Sequence, residues 1–266
     1  MSFHRTFAIV IRQFYLIRGS FSRVVPLFAW VAVDMVLWGF LTRYLNTVAM
    51  PGFNFVPALL GAVLLWDFFI RIMHGIIMAF LEDVWSRNFL NIFATPLLMS
   101  EYAGGLILSS IATSTVGLAV MLVIATAFKL SFFVYGLMVL PFLLVLFLFG
   151  ISLGIFGSAL VLRFGPASEW FIWPLPALVS PFVGVLYPVA TLPHWMQWIA
   201  RFLPPSYVFE GLRAIVSGGT ASGWALLAGG FLAVGYIFLA YGFFSKIYKS
   251  ALRTGLIARY SAENLG

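Results

Sequence analysis

No cysteine occurs among the 266 residues, so disulfides, thiolate metal sites and thiol nucleophiles are excluded. Charge is nearly as scarce. Asp, Glu, Lys and Arg together make up 9% of the chain, against roughly 25% in a soluble domain. No segment is polar enough to stand as a separate soluble domain, and residues 1–266 read as one unit. Histidine is rare too: His4, His74 and His194 have no metal-ligand spacing, and no H-E-x-x-H occurs. No G-x-x-x-x-G-K-S/T phosphate loop is present, so any ATP-driven work needs a second chain to hold the nucleotide. The start of the chain lacks the pattern of a cleaved signal peptide, because Arg12 and Arg18 interrupt its apolar run.

What is abundant is apolar. The chain is 63% hydrophobic with a mean hydropathy of +1.07, which predicts an all-α integral membrane protein. A helical span takes about 20 apolar residues. Six are predicted, near residues 24–42, 57–81, 102–128, 137–162, 170–187 and 224–244. The third and sixth carry no charge; the fifth contains Pro174, Pro176 and Pro181 and has to kink or unwind. Residues 1–23 precede the spans. There Phe3, Phe7, Val10, Phe14 and Ile17 make one helical face with Arg5 and Arg12 away from it, a pattern for a helix lying in the headgroup plane. Residues 188–222, before the last span, are too polar and too proline-broken to cross. Trp195, Trp198, Phe202, Tyr207 and Phe209 alternate there with His194, Arg201, Glu210 and Arg213, which predicts a re-entrant amphipathic hairpin at one membrane face.

The net charge of +7 is concentrated near the two ends, so it points to anionic lipid and a cytoplasmic side rather than to nucleic acid. With both termini inside, ten cations face the cytoplasm (Arg5, Arg12, Arg18, Arg23, Arg87, Arg163, Lys246, Lys249, Arg253 and Arg259). Four face out: Arg43, Lys129, Arg201 and Arg213. That asymmetry predicts cytoplasmic termini, a cytoplasmic tail at 245–266, and a hairpin on the outer face.

Asp67, Arg71 and His74 share one face of the second span. They read either as a polar spot on a substrate or proton path or as a self-satisfied pair locking helix packing. Asp34 in the first span is a further path candidate with no sequence-local partner. Gly150-Ile151-Ser152-Leu153-Gly154 matches the G-x-S-x-G nucleophile pattern, yet it lies within an apolar helix; read as G-x-x-x-G and extended by Gly157, it is a packing face. The loop at 82–101 places Glu82 and Asp83 where they could open a short helix, with Leu90, Phe93 and Leu97 as its apolar face and Pro96 ending it. An apolar-faced helix outside the bilayer needs something to dock on.

Three patterns together resemble the ABC-2-type permease family, the membrane subunits of bacterial exporters. One is Glu82, then Ala94-Thr95-Pro96-Leu97, then Glu101; a second is Leu192-Pro193-x-Trp195 with Leu203-Pro204-Pro205 and Glu210-Gly211-Leu212-Arg213. The third is the order of elements: interfacial helix, six spans, hairpin before the last. The resemblance implies a type V exporter-like fold in the bacterial inner membrane, paired with two ATP-binding subunits and a second permease copy, as a homodimer. It makes residues 1–23 the connecting helix. It makes Glu82, Asp83, Leu90, Phe93, Pro96, Leu97 and Glu101 the coupling loop, and the hairpin with Pro193, Trp195, Trp198, Pro204, Pro205, Glu210 and Arg213 the outer cap. ATP and Mg²⁺ would sit on the partner, with no cofactor in this chain. The aromatic content, 18%, suits amphiphiles, lipids, lipid-linked glycans or drug-like compounds as cargo. The rival from the residues alone is a proton-coupled secondary transporter using Asp67, Arg71 and His74.

Overall fold

The computed structural model describes residues 2–48, 55–86, 88–165 and 168–255, and the backbone alone of residues 22–24, 26–28, 90, 93, 132 and 169. Among the described residues every regular element is helical. In chain order they are α1 (Phe3–Arg18), α2 (Phe21–Val48), α3 (Gly61–Trp85), α4 (Phe89–Phe93), α5 (Met99–Ala127), α6 (Val139–Phe164), α7 (Glu169–Ile172), α8 (Leu175–Val183), α9 (His194–Phe202), α10 (Pro204–Val216) and α11 (Gly223–Arg253). One π-helical turn, Val56–Leu60, leads into α3, and a 3-10 stretch, Phe132–Met138, leads into α6.

Four helical stretches among the described residues are long and apolar enough to cross a membrane: Val56–Trp85, Met99–Ala127, Phe133–Phe164 and Gly223–Arg253. The expected first span lies within the 28-residue α2. The expected fifth does not form one rod. Its apolar stretch, Trp170–Val183, is divided into α7 and α8 around Trp173 and Pro174, where the proline removes a backbone donor.

The core is a row of three parallel helices, with α6 between α3 and α11. Glycine makes the first contact possible. A Cβ on Gly150 would come within 3.1 Å of the Ile72 side chain, and one on Gly154 within 2.8 Å of Ile76, while Gly157 lies against Ile77. The G-x-S-x-G pattern is therefore a packing face, and Ser152 donates to the Phe149 carbonyl at 2.7 Å within its own helix. Phe149 joins the row, stacking on Phe69 of α3 at 5.6 Å and meeting Tyr236 of α11 edge-on at 5.4 Å. On the other side α5 runs antiparallel to α3, and Ser110 donates to the Ile72 carbonyl at 2.9 Å. The C-terminal half of α2 leans on the C-terminal end of α5, with Gly39 and Phe40 against Phe128.

The outward faces are apolar, as a lipid-facing surface requires: Trp30, Phe40, Val123, Phe231 and Phe238 are all exposed. Gly235 on α11 also faces open space. Gly154→Leu should cost about 1–3 kcal/mol by forcing α6 off α3, whereas Gly235→Leu should be neutral. Thermal unfolding of the two variants in detergent checks this, and equal melting temperatures would deny the glycine row its role.

Candidate functional site

At the end where α3 finishes, the apolar spacing continues through the buried Phe80, Leu81 and Val84, so the helix runs on to Trp85. Glu82 and Asp83 therefore lie in its last turn and do not open a loop helix, contrary to expectation; α4 begins only at Phe89. This end of a helix carries the negative pole of the macrodipole, which disfavours a carboxylate. Asp83 is also fully buried. Two partners offset both costs. Arg12 of α1 grips the carboxylate with both terminal nitrogens, Nη1 to Oδ2 at 2.9 Å and Nη2 to Oδ1. Tyr102 of α5 donates its hydroxyl to Oδ2 at 2.7 Å. The hydrogen bond to Asp83 raises the Arg12 guanidinium above its ordinary value, so it stays charged.

Glu101 makes a second latch. It sits at the third position of α5 and accepts from the Leu98 backbone N–H at 3.1 Å, the carboxylate half of a capping box. Its other oxygen accepts from the Ser2 N–H at 2.6 Å, and Arg5 lies 3.6 Å away while also donating to the Pro96 carbonyl. Arg5 and Arg12 thus turn inward to the loop and not to lipid headgroups. The Phe stripe of α1 is the exposed side, with Phe3, Phe7 and Phe14 outward and Thr6, Ile9 and Gln13 buried. Ile9 seats on Gly105 of α5, where a Cβ would meet it at 2.5 Å.

The latches hold a loop whose tip is open. Asn91, Ala94, Thr95 and Pro96 are exposed, and Leu97 is half-buried against the core. The side chains of Leu90 and Phe93, and the whole of Arg87 and Arg259, lie outside the described residues.

Midway along α3, three of the four polar path candidates converge. Asp34 of α2 comes within hydrogen-bonding reach of Asp67, which also faces Arg71. The Arg71 guanidinium lies along Gly117 of α5, where a Cβ would fall 2.8 Å from it. His74 does not join them. Its ring lies on Trp173, with centroids 4.6 Å apart, and its Nε2 is buried without a hydrogen bond among the described residues. No group of His, Cys, Asp and Glu suited to a metal ion occurs among the described residues.

At the opposite end, Gly184 closes α8 in a left-handed conformation, φ 67°. Arg213 of α10 donates to the Gly184 carbonyl at 2.6 Å and to Glu210 at 2.8 Å; the same Glu210 oxygen accepts the Val189 N–H at 2.8 Å. Glu210 and Arg213 are thus a clamp between hairpin and α8. Pro204 and Pro205 are buried in the first turn of α10, where no amide donor is needed. Pro193 precedes α9 as its cap residue; Trp195 meets Phe182 edge-on, and Trp198 lies beneath the Arg201 guanidinium at 4.6 Å. Phe209 reaches back to Trp66 of α3, 6.1 Å between rings.

Arg12 and Tyr102 are the partners that sequence reasoning missed. A basic residue on an amphipathic helix and a tyrosine at the start of an apolar one carry no signal of a shared carboxylate. Arg12→Met, which leaves Asp83 buried and uncompensated, should destabilise the protein by about 3–5 kcal/mol. Arg12→Met with Asp83→Asn should recover much of that loss. Thermal unfolding of the single and double variants measures the coupling, and simple additivity would contradict it.

None of the curated proteins matches the chain. A family model described as ABC-2 type transporter matches residues 4–216, a stretch running from α1 through the latches and the polar group to the end of α10. The chain therefore belongs to the ABC-2 type transporter family, as a multi-pass membrane subunit of an ABC transport system.

Proposed function

We propose that this chain is the permease of an ATP-driven exporter, moving an amphiphilic or hydrophobic compound out of the cytoplasm or the inner leaflet. A separate ATP-binding subunit, in two copies, holds ATP and Mg²⁺ and docks on the exposed tip of the α4 loop. The observation that carries this reading is the pair of carboxylate latches. They tie α1, the end of α3 and the start of α5 into one body around that loop. A push on the loop then reaches two long rods instead of dissipating in a soft turn.

In this reading the chain crosses a bacterial inner membrane six times, through α2, α3, α5, α6, the broken α7–α8 and α11. Both termini and the latched end are cytoplasmic, the hairpin of α9 and α10 caps the outer face, and two identical permeases enclose the path. The break at Trp173–Pro174 is where the fifth pass bends as the partner closes. The contact between Asp34 and Asp67 is the observation that favours the rival, a proton-coupled cycle. In the exporter reading the same group, with Arg71, locks α2 to α3. Vesicles distinguish the two, since the exporter requires ATP and a co-purified ATPase and a proton gradient alone should drive nothing.

Ala94→Arg, at an exposed position just after α4, should reduce co-purification of the ATP-binding subunit at least tenfold while the permease still reaches the membrane. Retained ATPase binding and transport would remove the loop from the coupling role. The absence of native cysteine makes sidedness directly measurable. A cysteine replacing Ser217 should react with an impermeant thiol reagent from outside, and one replacing Ser86 only after lysis; the reverse pattern inverts the topology.

A further inference from the structure

Two long helices flank the core row, each on a different member of it: α5 packs on α3, and α11 packs on α6. A slot runs between them. Phe80 of α3 and Ile155 of α6 form its floor, and Leu106 of α5 and Phe244 of α11 form its walls. Its rim is the exposed Tyr241 with the half-buried Ala103, so it opens on the side where the helices meet lipid. The wall is apolar. The Tyr102 hydroxyl at the end nearest the latches is spent on Asp83 at 2.7 Å, and the Ser158 hydroxyl on the Gly154 carbonyl at 2.9 Å. The space in the slot is about 20 Å³, little more than one water-sized sphere across. Water would find nothing there to bond, and a partner helix, roughly 10–12 Å across, cannot enter. What fits is a hydrocarbon chain, lying one methylene thick.

Charge selects the head that carries such a chain. α11 contains no acid, and past Tyr241 it carries Lys246, Lys249 and Arg253, all exposed. The negative pole of the helix, about half a charge, offsets little of that. Asp83 is matched by Arg12 and Glu101 by Arg5, while Glu82 is balanced by the exposed Arg163 at the end of α6. The surplus at this end is therefore cationic. Depth agrees. Lys249 lies eight residues past Tyr241, about 12 Å along the helix and about 80° round from it. A headgroup layer is roughly 5–8 Å thick, so a phosphate at Lys249 leaves its chain at the level of the slot, already within hydrocarbon. Lys246, one turn earlier, shares the face of Lys249 and can reach out along its stem to the same phosphate. We infer that the slot between α5 and α11 holds one acyl chain of an anionic phospholipid whose phosphate lies against Lys249 and Lys246. That chain lies on Tyr102, the residue that holds Asp83 from α5, so the lipid braces the latched end. The exporter reading supplies only the leaflet, the inner one; the site itself stands on the slot and the lysines.

The full chain, stripped of lipid in detergent and without its ATPase, is titrated with phosphatidylglycerol and with phosphatidylcholine of the same acyl chains, and native mass spectrometry counts the lipids retained. One phosphatidylglycerol should bind about 25-fold more tightly than phosphatidylcholine, a factor of five for each lysine. Ala103→Phe, which fills the slot from α5, should abolish retention of either lipid. Lys246→Gln with Lys249→Gln should keep a lipid bound and erase the preference, and this pair carries the test if Ala103→Phe fails to fold. Glycerol 1-phosphate, a head without a chain, should not compete. Equal binding of the two lipids by the unaltered chain, retention by Ala103→Phe, full preference in the double variant, or competition by glycerol 1-phosphate overturns the inference. Transport is a separate readout, so lost lipid binding with transport intact sinks the slot alone, and an intact lipid site in a chain that exports nothing sinks the exporter alone.

Discussion

A buried negative charge at the wrong end of a helix governs the architecture where α1, α3 and α5 meet. Asp83 meets the negative pole of α3 and has no access to water. Neither cost is tolerable without a cation, and the cation comes from α1, 71 residues earlier in the chain. A helix lying on a membrane surface is ordinarily held by the lipid interface and can slide or lift. Here it cannot leave without stranding a carboxylate in an apolar end of the bundle. Tyr102 extends the constraint to α5, and Glu101 repeats it one residue earlier through Ser2 and Arg5. The amphipathic helix is thereby part of the bundle, and its exposed aromatic side is free for the membrane.

The glycine row sets a contrasting regime between α3 and α6. There no polar group is needed, because close approach of backbones supplies dispersion contacts that lipid tails cannot match. The chain thus holds its helices together in two ways, by close apolar packing between α3 and α6 and by charge where α1, α3 and α5 meet. Shape contacts resist sliding continuously. Charge contacts hold until one partner is removed and then fail abruptly.

Much of the frame was legible in the sequence, and the reasons are local. Gly150, Gly154 and Gly157 announce a packing face by spacing alone, and Pro174, Pro193, Pro204 and Pro205 mark breaks and starts because their rings dictate them. The end of α3 was not legible. Nothing between Glu82 and Asn88 is Gly or Pro, so two acids after an apolar run read as a start when they are a finish. Partnership across long separations was hidden for the same reason. Asp34 lacked a neighbour in sequence and found Asp67 on the next long helix, while His74, on the right face by spacing, turned to Trp173. Helical periodicity says which residues share a face, not what the facing helix brings to it.

The contacts around α3 also differ in kind. Asp34 of α2 comes within hydrogen-bonding reach of Asp67 of α3, with Arg71 beside it, so a polar contact joins the two helices inside the bundle. The α7–α8 stretch meets α3 where the rings of His74 and Trp173 lie tilted against each other, and Pro174 beside them removes a helical backbone donor. At the end of α8, Arg213 and Glu210 tie it to the hairpin. The hairpin is not a passenger of α8, however, because Phe209 of α10 reaches Trp66 of α3, Gly211 lies against Phe142 of α6, and Tyr207 lies against Gly229 of α11. α10 is therefore anchored on the three parallel helices, and the clamp fixes the end of α8 to that anchored surface, which leaves the non-helical step at Trp173–Pro174 between α7 and the anchored end.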